Sequence, residues 1–328
     1  MRGWKRFLLG VLCVAVLAGG LAMAVSYGVY GRSLRASVYE LRLRRRYATN
    51  RTAEEERQRL MDKLTAGEPT AALPENRVFR SEVSEAERDG LKVFTLEGGA
   101  GDGPLVLYLH GGAYINGFNA HQWRFMDDLA AASGGTVVAP AYHLAPFADY
   151  TRAYEDLPAL WRALRAEHPG RRIILMGDSA GGGLALGLAE YLAAAGEPLP
   201  ERLILFSPWV DVSMENPEIA DYVPVDPILH LELVKVHGEL WAGDGGTKHW
   251  QVSPLYGDMT GLPPVTIYCG TRELLYPDIL LAAEKLRAAG VAVTLNVGRG
   301  LNHDYPLMPI PEGTRAVQEV CALVRGTD

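Results

Sequence analysis

From about Val78 onward, short runs rich in Leu, Ile and Val recur between helical stretches, and this alternation constrains the fold more than any other feature of the chain. Strand candidates are Leu91 to Leu96, Leu105 to Leu109, Thr136 to Ala141, Ile173 to Met176, Leu203 to Phe206, Val265 to Tyr268 and Val291 to Val297. Helices are expected near 121–132, 150–167, 180–195, 277–289 and 312–325. Runs such as Leu203 to Phe206 are apolar at every position, as strands buried on both faces are. The βαβα order therefore predicts an α/β protein with a mostly parallel central sheet and helices on both faces. At 328 residues, 48% of them hydrophobic and 22% charged, the chain can bury such a core in one large domain.

The stretch LMGDSAGGG, residues 175 to 183, joins one of these strands to the helix that ends near Gly196. A sharp strand-to-helix turn is crowded, so small residues are needed on both sides of it, and Gly177 and Gly181 supply them. Ser179 then stands at the carboxyl end of the strand. A serine hydroxyl is a poor nucleophile at neutral pH and needs a base. His303, in GRGLNHDYP after the last predicted strand, reaches the same edge of the sheet and is the base favoured by topology. A base of this kind needs a carboxylate to hold its tautomer. CGTRELLYPD offers Glu273 and Asp278; Glu273 is preferred, because Asp278 follows Pro277 at an expected helix start, where an acid has a stabilising role of its own. Asp304 is expected to point elsewhere if its loop is extended. LYLHGGAYING, residues 107 to 117, places a glycine pair after another strand. There the N–H groups of Gly112 and Ala113, with that of Ala180, could converge on an oxyanion while Gly111 lets the chain turn close by.

Charge and cysteine content narrow the function classes. The formal net charge is −7, yet residues 1 to 46 hold nine Lys or Arg and one acid, Glu40; the remainder carries 23 bases and 38 acids, a formal −15. Such a body repels phosphate backbones, so nucleic acid is not an expected partner. Cys13, Cys269 and Cys321 are far apart and odd in number, which argues against a disulfide framework, and they lack the spacing of metal ligands. Phe7 to Gly31 is 25 residues without a charge, preceded by Arg2, Lys5 and Arg6. That length can cross a bilayer, so an uncleaved N-terminal membrane anchor (a transmembrane helix over 1–31) is expected in preference to an export signal cut near Ala22-Met23-Ala24. The basic residues after the segment place the body in the cytoplasm by the positive-inside rule, whereas export would place it outside. Residues 32–74 read as a helical, strongly charged stalk or lid segment, with Leu60, Met61 and Leu64 on one stripe of AEEERQRLMDKL.

Together HGGA at 110–113, GDSAG at 177–181, SPWVDVS at 207–213 and NHDYP at 302–306 resemble the hormone-sensitive lipase family of α/β-hydrolases, over about residue 75 to the end. The resemblance implies the α/β-hydrolase fold over 75–328 with a helical lid. It implies Ser179 as nucleophile, Glu273 as acid and His303 as base, in the chain order Ser, acid, His, with Gly111, Gly112, Ala113 and Ala180 around the oxyanion hole. It also implies a lid made of the segment before the first strand and an insertion at about 211–245. In that insertion Leu229, Leu233, Val236 and Leu240 fall at helical spacing and read as lid-to-body packing. Asp178, Trp209 and Asp211 match positions that are chiefly architectural. The chain departs from the family in having Ala113 where a third glycine is common and Phe147 where an acid usually follows LAP.

Tyr114, Phe118, Trp209 and Leu301 are the neighbouring candidates for substrate contact. The reading that follows is a serine carboxylesterase cleaving small to medium uncharged esters through an acyl-enzyme, membrane-tethered and with neither metal nor organic cofactor. Two alternatives stay open: an amidase or deacetylase with the same triad, and a non-catalytic ligand receptor on this fold. A membrane-bound scaffold is a third.

Overall fold

The computed structural model describes residues 2–99 and 103–327, with the side chains at 2, 3, 5, 6, 9, 10 and 12–17 outside the description. Three helices lead: α1 (Arg2–Gly28), α2 (Leu34–Tyr47) and α3 (Ala53–Ala66). There follow β1 (Glu82–Arg88), β2 (Leu91–Glu97), β3 (Leu105–Leu109), α4 (Ala120–Ser133), β4 (Thr136–Ala141), α5 (Tyr150–Glu167), β5 (Ile173–Asp178), α6 (Ser179–Ala194) and β6 (Leu203–Phe206). The chain closes with α7 (Leu231–Ala242), β7 (Val265–Arg272), α8 (Tyr276–Ala288), β8 (Val293–Asn302) and α9 (Pro311–Arg325). The eight strands form one sheet in the order β1-β2-β4-β3-β5-β6-β7-β8. From β4 to β8 the neighbours are parallel, while β2 runs antiparallel to both β1 and β4. This is the α/β-hydrolase fold.

Successive residues of a strand point to opposite faces, so the sheet divides the core in two. Leu105, Leu107 and Leu109 of β3 join Leu175, Leu205, Trp161 and Ile279 on one face; Val106 and Tyr108 join Ile174, Phe206, Phe125 and Val320 on the other. Helix α6 is buried over most of its surface, which fixes its first residue, Ser179, against the sheet.

Strand β1 was not among the expected strands, because EVSEAER lacks an apolar run and is mostly exposed. It is an edge strand whose charged side chains guard the open ladder. Its signal lies in the turn: Asp89 and Gly90 both have positive φ (51° and 84°), as a two-residue hairpin loop of type I′ requires. The segment expected to be helical over 32–74 holds two helices, α2 and α3, and is not helical after Ala66. It breaks at 48–52, where the Thr52 hydroxyl caps α3 and Glu55 returns the bond to the Thr52 N–H. Leu60 of α3 is fully buried against Val236 of α7, the helix within the expected insertion at 211–245.

The expected transmembrane anchor is not supported. Among the described residues no helix is long and apolar enough to cross a membrane. Eight of the 25 positions on which that expectation rests, 9, 10 and 12–17, have side chains outside the description, that of Cys13 among them. Cys269 and Cys321 are free and buried.

Candidate active site

Strand β5 ends at Asp178, and the chain turns into α6 at Ser179 with φ of 51°. Few L-residues adopt this conformation, and it aims the side chain out of the turn. The turn is tight: a Cβ on Gly181 would lie 2.5 Å from the His110 carbonyl oxygen, so no larger residue fits between elbow and β3. Asp178 is buried, and three donors engage its carboxylate. The Tyr108 hydroxyl and the Gly111 N–H (2.9 Å) donate to one oxygen, and Gln122 Nε2 (2.8 Å) donates to the other. Asp178 thereby ties the His110–Gly112 loop and α4 to the elbow.

Two strand ends bring an acid and a base to Ser179. Glu273 follows β7, is fully buried, and accepts from the Gly270 N–H (2.7 Å) and the Ser207 hydroxyl (3.0 Å) through Oε1. Its Oε2 lies 2.6 Å from Nδ1 of His303, which follows β8, and Nε2 of the same ring lies 2.9 Å from Ser179 Oγ. With the proton on Nδ1, donated to Glu273, Nε2 is free to accept from the serine hydroxyl. Asp278 is instead at the start of α8, where it accepts from Asn216 Nδ2 at 2.7 Å, and burial pushes its carboxyl up to about 6.

Asp304 does not point elsewhere. Its backbone adopts φ of 53°, its N–H donates to Ser207 Oγ at 3.0 Å, and its Oδ2 lies 3.3 Å from His303 Nε2. Burial pushes this carboxyl well up, opposed by His303 but reinforced by Asp178, Glu273 and Asp226. Burial depresses the imidazole, yet Asp304, Glu273 and Asp226 outweigh it and raise His303.

The loop after β3 carries three consecutive positive φ values, 133° at Gly112, 55° at Ala113 and 61° at Tyr114. Gly112 and Ala113 border the same cavity as Ser179. The strained conformation is held by Gly112 O, which accepts from Asn116 N at 3.0 Å, and by the Tyr114 ring, stacked on Trp241 (4.2 Å between centroids) and on Trp209 (5.6 Å). Gly111 differs from the other oxyanion candidates, since its N–H is committed to Asp178. Its requirement is space: a Cβ there would sit 2.7 Å from Asp178 O and 2.9 Å from Ser179 Cβ. Gly111→Ala is therefore expected to displace the loop and lower kcat by at least about 100-fold, comparable to losing one oxyanion donor. Steady-state kinetics on a chromogenic ester checks this, and an unchanged kcat would remove Gly111 from the site.

None of the four expected substrate contacts lines the cavity that holds Ser179. Tyr114, Trp209 and Leu301 are 1%, 2% and 3% exposed and belong to the core, because aromatic stacking and sheet packing consume their surfaces. Phe118 borders a neighbouring cavity with Lys63, His110 and Tyr142. The cavity above Ser179 encloses about 570 Å³ and is walled by Ile115, Ile228, Leu229, Leu233, Val234 and Met308, with Arg46, Arg51, Arg59 and His230 also lining it. Leu229 and Leu233 thus face the cavity, whereas Val236 packs under α3. Helical spacing in 229–240 marks these residues as one apolar stripe and does not say which end of it meets the cavity.

A family profile described as an alpha/beta hydrolase fold matches residues 106–307. The chain is similar to an acetyl-hydrolase of Streptomyces hygroscopicus, 33% identical over 229 residues, 68% of this chain and 76% of the relative. It is also similar to an ethyl acetate hydrolase of Pseudomonas putida, 32% identical over 214 residues, 63% and 67% of the respective chains. Among solved structures, an esterase from the bacterial hormone-sensitive lipase family superposes with a TM-score of 0.75 at 29% identity, covering 90% of this chain and 99% of that one.

Proposed function

The chain belongs to the hormone-sensitive lipase-like carboxylesterases of the α/β-hydrolase fold and is a carboxylesterase-type serine hydrolase; from this premise we propose that it cleaves small to medium uncharged esters with Ser179, His303 and Glu273 as its triad. The observation that carries the assignment of roles is the unbroken chain from Glu273 Oε2 to His303 Nδ1 (2.6 Å) and from His303 Nε2 to Ser179 Oγ (2.9 Å) at the floor of one cavity.

In this reading His303 Nε2 takes the Ser179 proton as Oγ attacks the ester carbonyl, and Glu273 stabilises the imidazolium. The N–H groups of Gly112, Ala113 and Ala180 hold the oxyanion, each donor worth about 3 kcal/mol in the transition state. Collapse of the tetrahedral intermediate expels the alcohol, which leaves with the proton from His303. Water then gives its proton to His303 and its oxygen to the acyl carbon, and a second collapse frees the acid and returns the proton to Ser179.

A cavity of about 570 Å³ bounded by apolar lid residues suits a ligand of modest size. The ethyl acetate hydrolase among the relatives points the same way for its own substrate. A p-nitrophenyl ester series of increasing acyl length tests the size preference. kcat/KM is expected to be highest for short and medium chains and to fall for the longest. A preference for long-chain emulsified esters would overturn the substrate class and leave the esterase chemistry standing.

A further inference from the structure

Glu40, in the middle of α2, is buried with its side chain 5% exposed, although nothing in its sequence surroundings marks it as a core residue. Three arginines converge on its carboxylate. Arg272 binds it through both Nε (3.1 Å) and Nη2 (2.9 Å), Arg44 through Nε (2.9 Å), and Arg32 through Nη1. Burial raises the Glu40 carboxyl, but the arginines outweigh it and hold it below its ordinary range, so it is ionised at neutral pH.

Each arginine reaches a different part of the catalytic apparatus. Arg272 is the residue before Glu273. Arg32 Nη1 also donates to Gly300 O at 2.6 Å, three residues before His303 on β8. Arg44 Nη2 donates to Val225 O at 2.8 Å, next to Asp226. The Asp226 carboxylate in turn accepts from the N–H groups of Ile228 (2.8 Å) and Leu229 (2.9 Å), which wall the cavity, and from Leu274 N–H (2.8 Å), just after Glu273. The Tyr30 ring lies under both Arg32 and Arg272, with centroid distances of 5.0 and 5.5 Å. One carboxylate on the N-terminal segment therefore joins the acid loop, the base strand and the lid loop.

We infer that Glu40 is a positioning residue for the catalytic site: through Arg272 and Arg32 it sets the acid and base strand ends, and through Arg44 it sets the lid wall. Without Glu40, three guanidiniums are left close together in a partly desolvated place, where like charges repel and each loses its partner. Displacements of about 1 Å at a triad cost on the order of 100-fold in rate. The inference rests on the esterase reading above, and its test separates the two.

The test uses the full chain and the variants Glu40→Gln, Glu40→Asp, Arg272→Ala and Arg44→Ala. The measurements are kcat and KM on a short p-nitrophenyl ester, the pH profile of kcat/KM, and the rate at which a fluorophosphonate labels Ser179. Glu40→Gln is expected to lower kcat and the labelling rate by about 10- to 100-fold, and Glu40→Asp to recover part of the loss. The arms are expected to split. Arg272→Ala acts mainly on kcat and shifts the pH profile through the acid and base, whereas Arg44→Ala acts mainly on KM through the lid. Wild-type kinetics in Glu40→Gln, or equal proportional losses in both arginine variants that follow melting temperature alone, would overturn the inference. Should Glu40→Gln fail to fold, the arginine pair decides. A wild-type chain that labels with the fluorophosphonate yet spares esters would count against the substrate reading only, since the labelling rates still read the positioning.

Discussion

Ser179→Ala is expected to lower kcat on a short p-nitrophenyl ester by about 10⁵- to 10⁶-fold while leaving KM within a few-fold, the pattern seen when the nucleophile of a triad acting as a unit is removed. The reason is local. Ser179 Oγ is the group held 2.9 Å from His303 Nε2, and in the proposed mechanism its removal ends covalent catalysis while leaving the rest of the site in place. The substitution fits, because alanine is smaller than serine and the 51° φ of the elbow is imposed by the packed strand and helix on either side. Matched steady-state assays with a circular dichroism check on folding suffice. A variant that keeps more than about 1% of the wild-type rate would place the nucleophile elsewhere.

A second large effect is expected far from the cavity. Glu190 on α6 is 2% exposed, and neither carboxyl oxygen has a protein hydrogen-bond partner among the described residues. Burial raises its pKa from 4.5 to about 9, only partly opposed by Lys285, whose ammonium donates to the Leu255 and Gly257 carbonyls. Below pH 4.5 folded and unfolded chains both hold the proton and no penalty arises. Between pH 4.5 and 9 the folded chain keeps a proton that the unfolded chain has released, so this group costs stability as pH rises. At about 1.4 kcal/mol per pH unit, the cost at pH 7 is about 3 kcal/mol. Glu190→Gln is isosteric and does not ionise, so it is expected to stabilise the protein by about 2–3 kcal/mol at pH 7 and by almost nothing near pH 4.5. Denaturant melts across this range check it, and a gain independent of pH would assign the effect to packing rather than ionisation.

Much of the fold is legible in the chain because its signals are local. The apolar runs that become β3, β4, β5 and β7 are short, and each is followed by a turn or loop and a helical period. Even the features left unread had local signatures: Asp89-Gly90 for the β1–β2 hairpin, and Thr52 with Glu55 for the break between α2 and α3. Strand β1 went unread because an edge strand needs no apolar period. The walls of the cavity had no such signature. Arg46, Ile115, Leu229 and Met308 meet only after four separate segments pack together.

By itself the sequence determined the elements and the chemistry available at the end of each strand: the Ser179 elbow, the glycine pair after β3, and a short list of acids and histidines. Those follow from backbone sterics and residue type, which act over a few residues. Tertiary structure decided which candidates meet. It brought Glu273 rather than Asp278 to His303 and turned Asp304 toward Nε2. It committed the Gly111 N–H to Asp178 and drew Tyr114, Trp209 and Leu301 into the core. It also placed Glu40 among three arginines, one of them 232 positions away. Contacts across such separations depend on how helices and strands pack in three dimensions, and no periodicity along the chain encodes them.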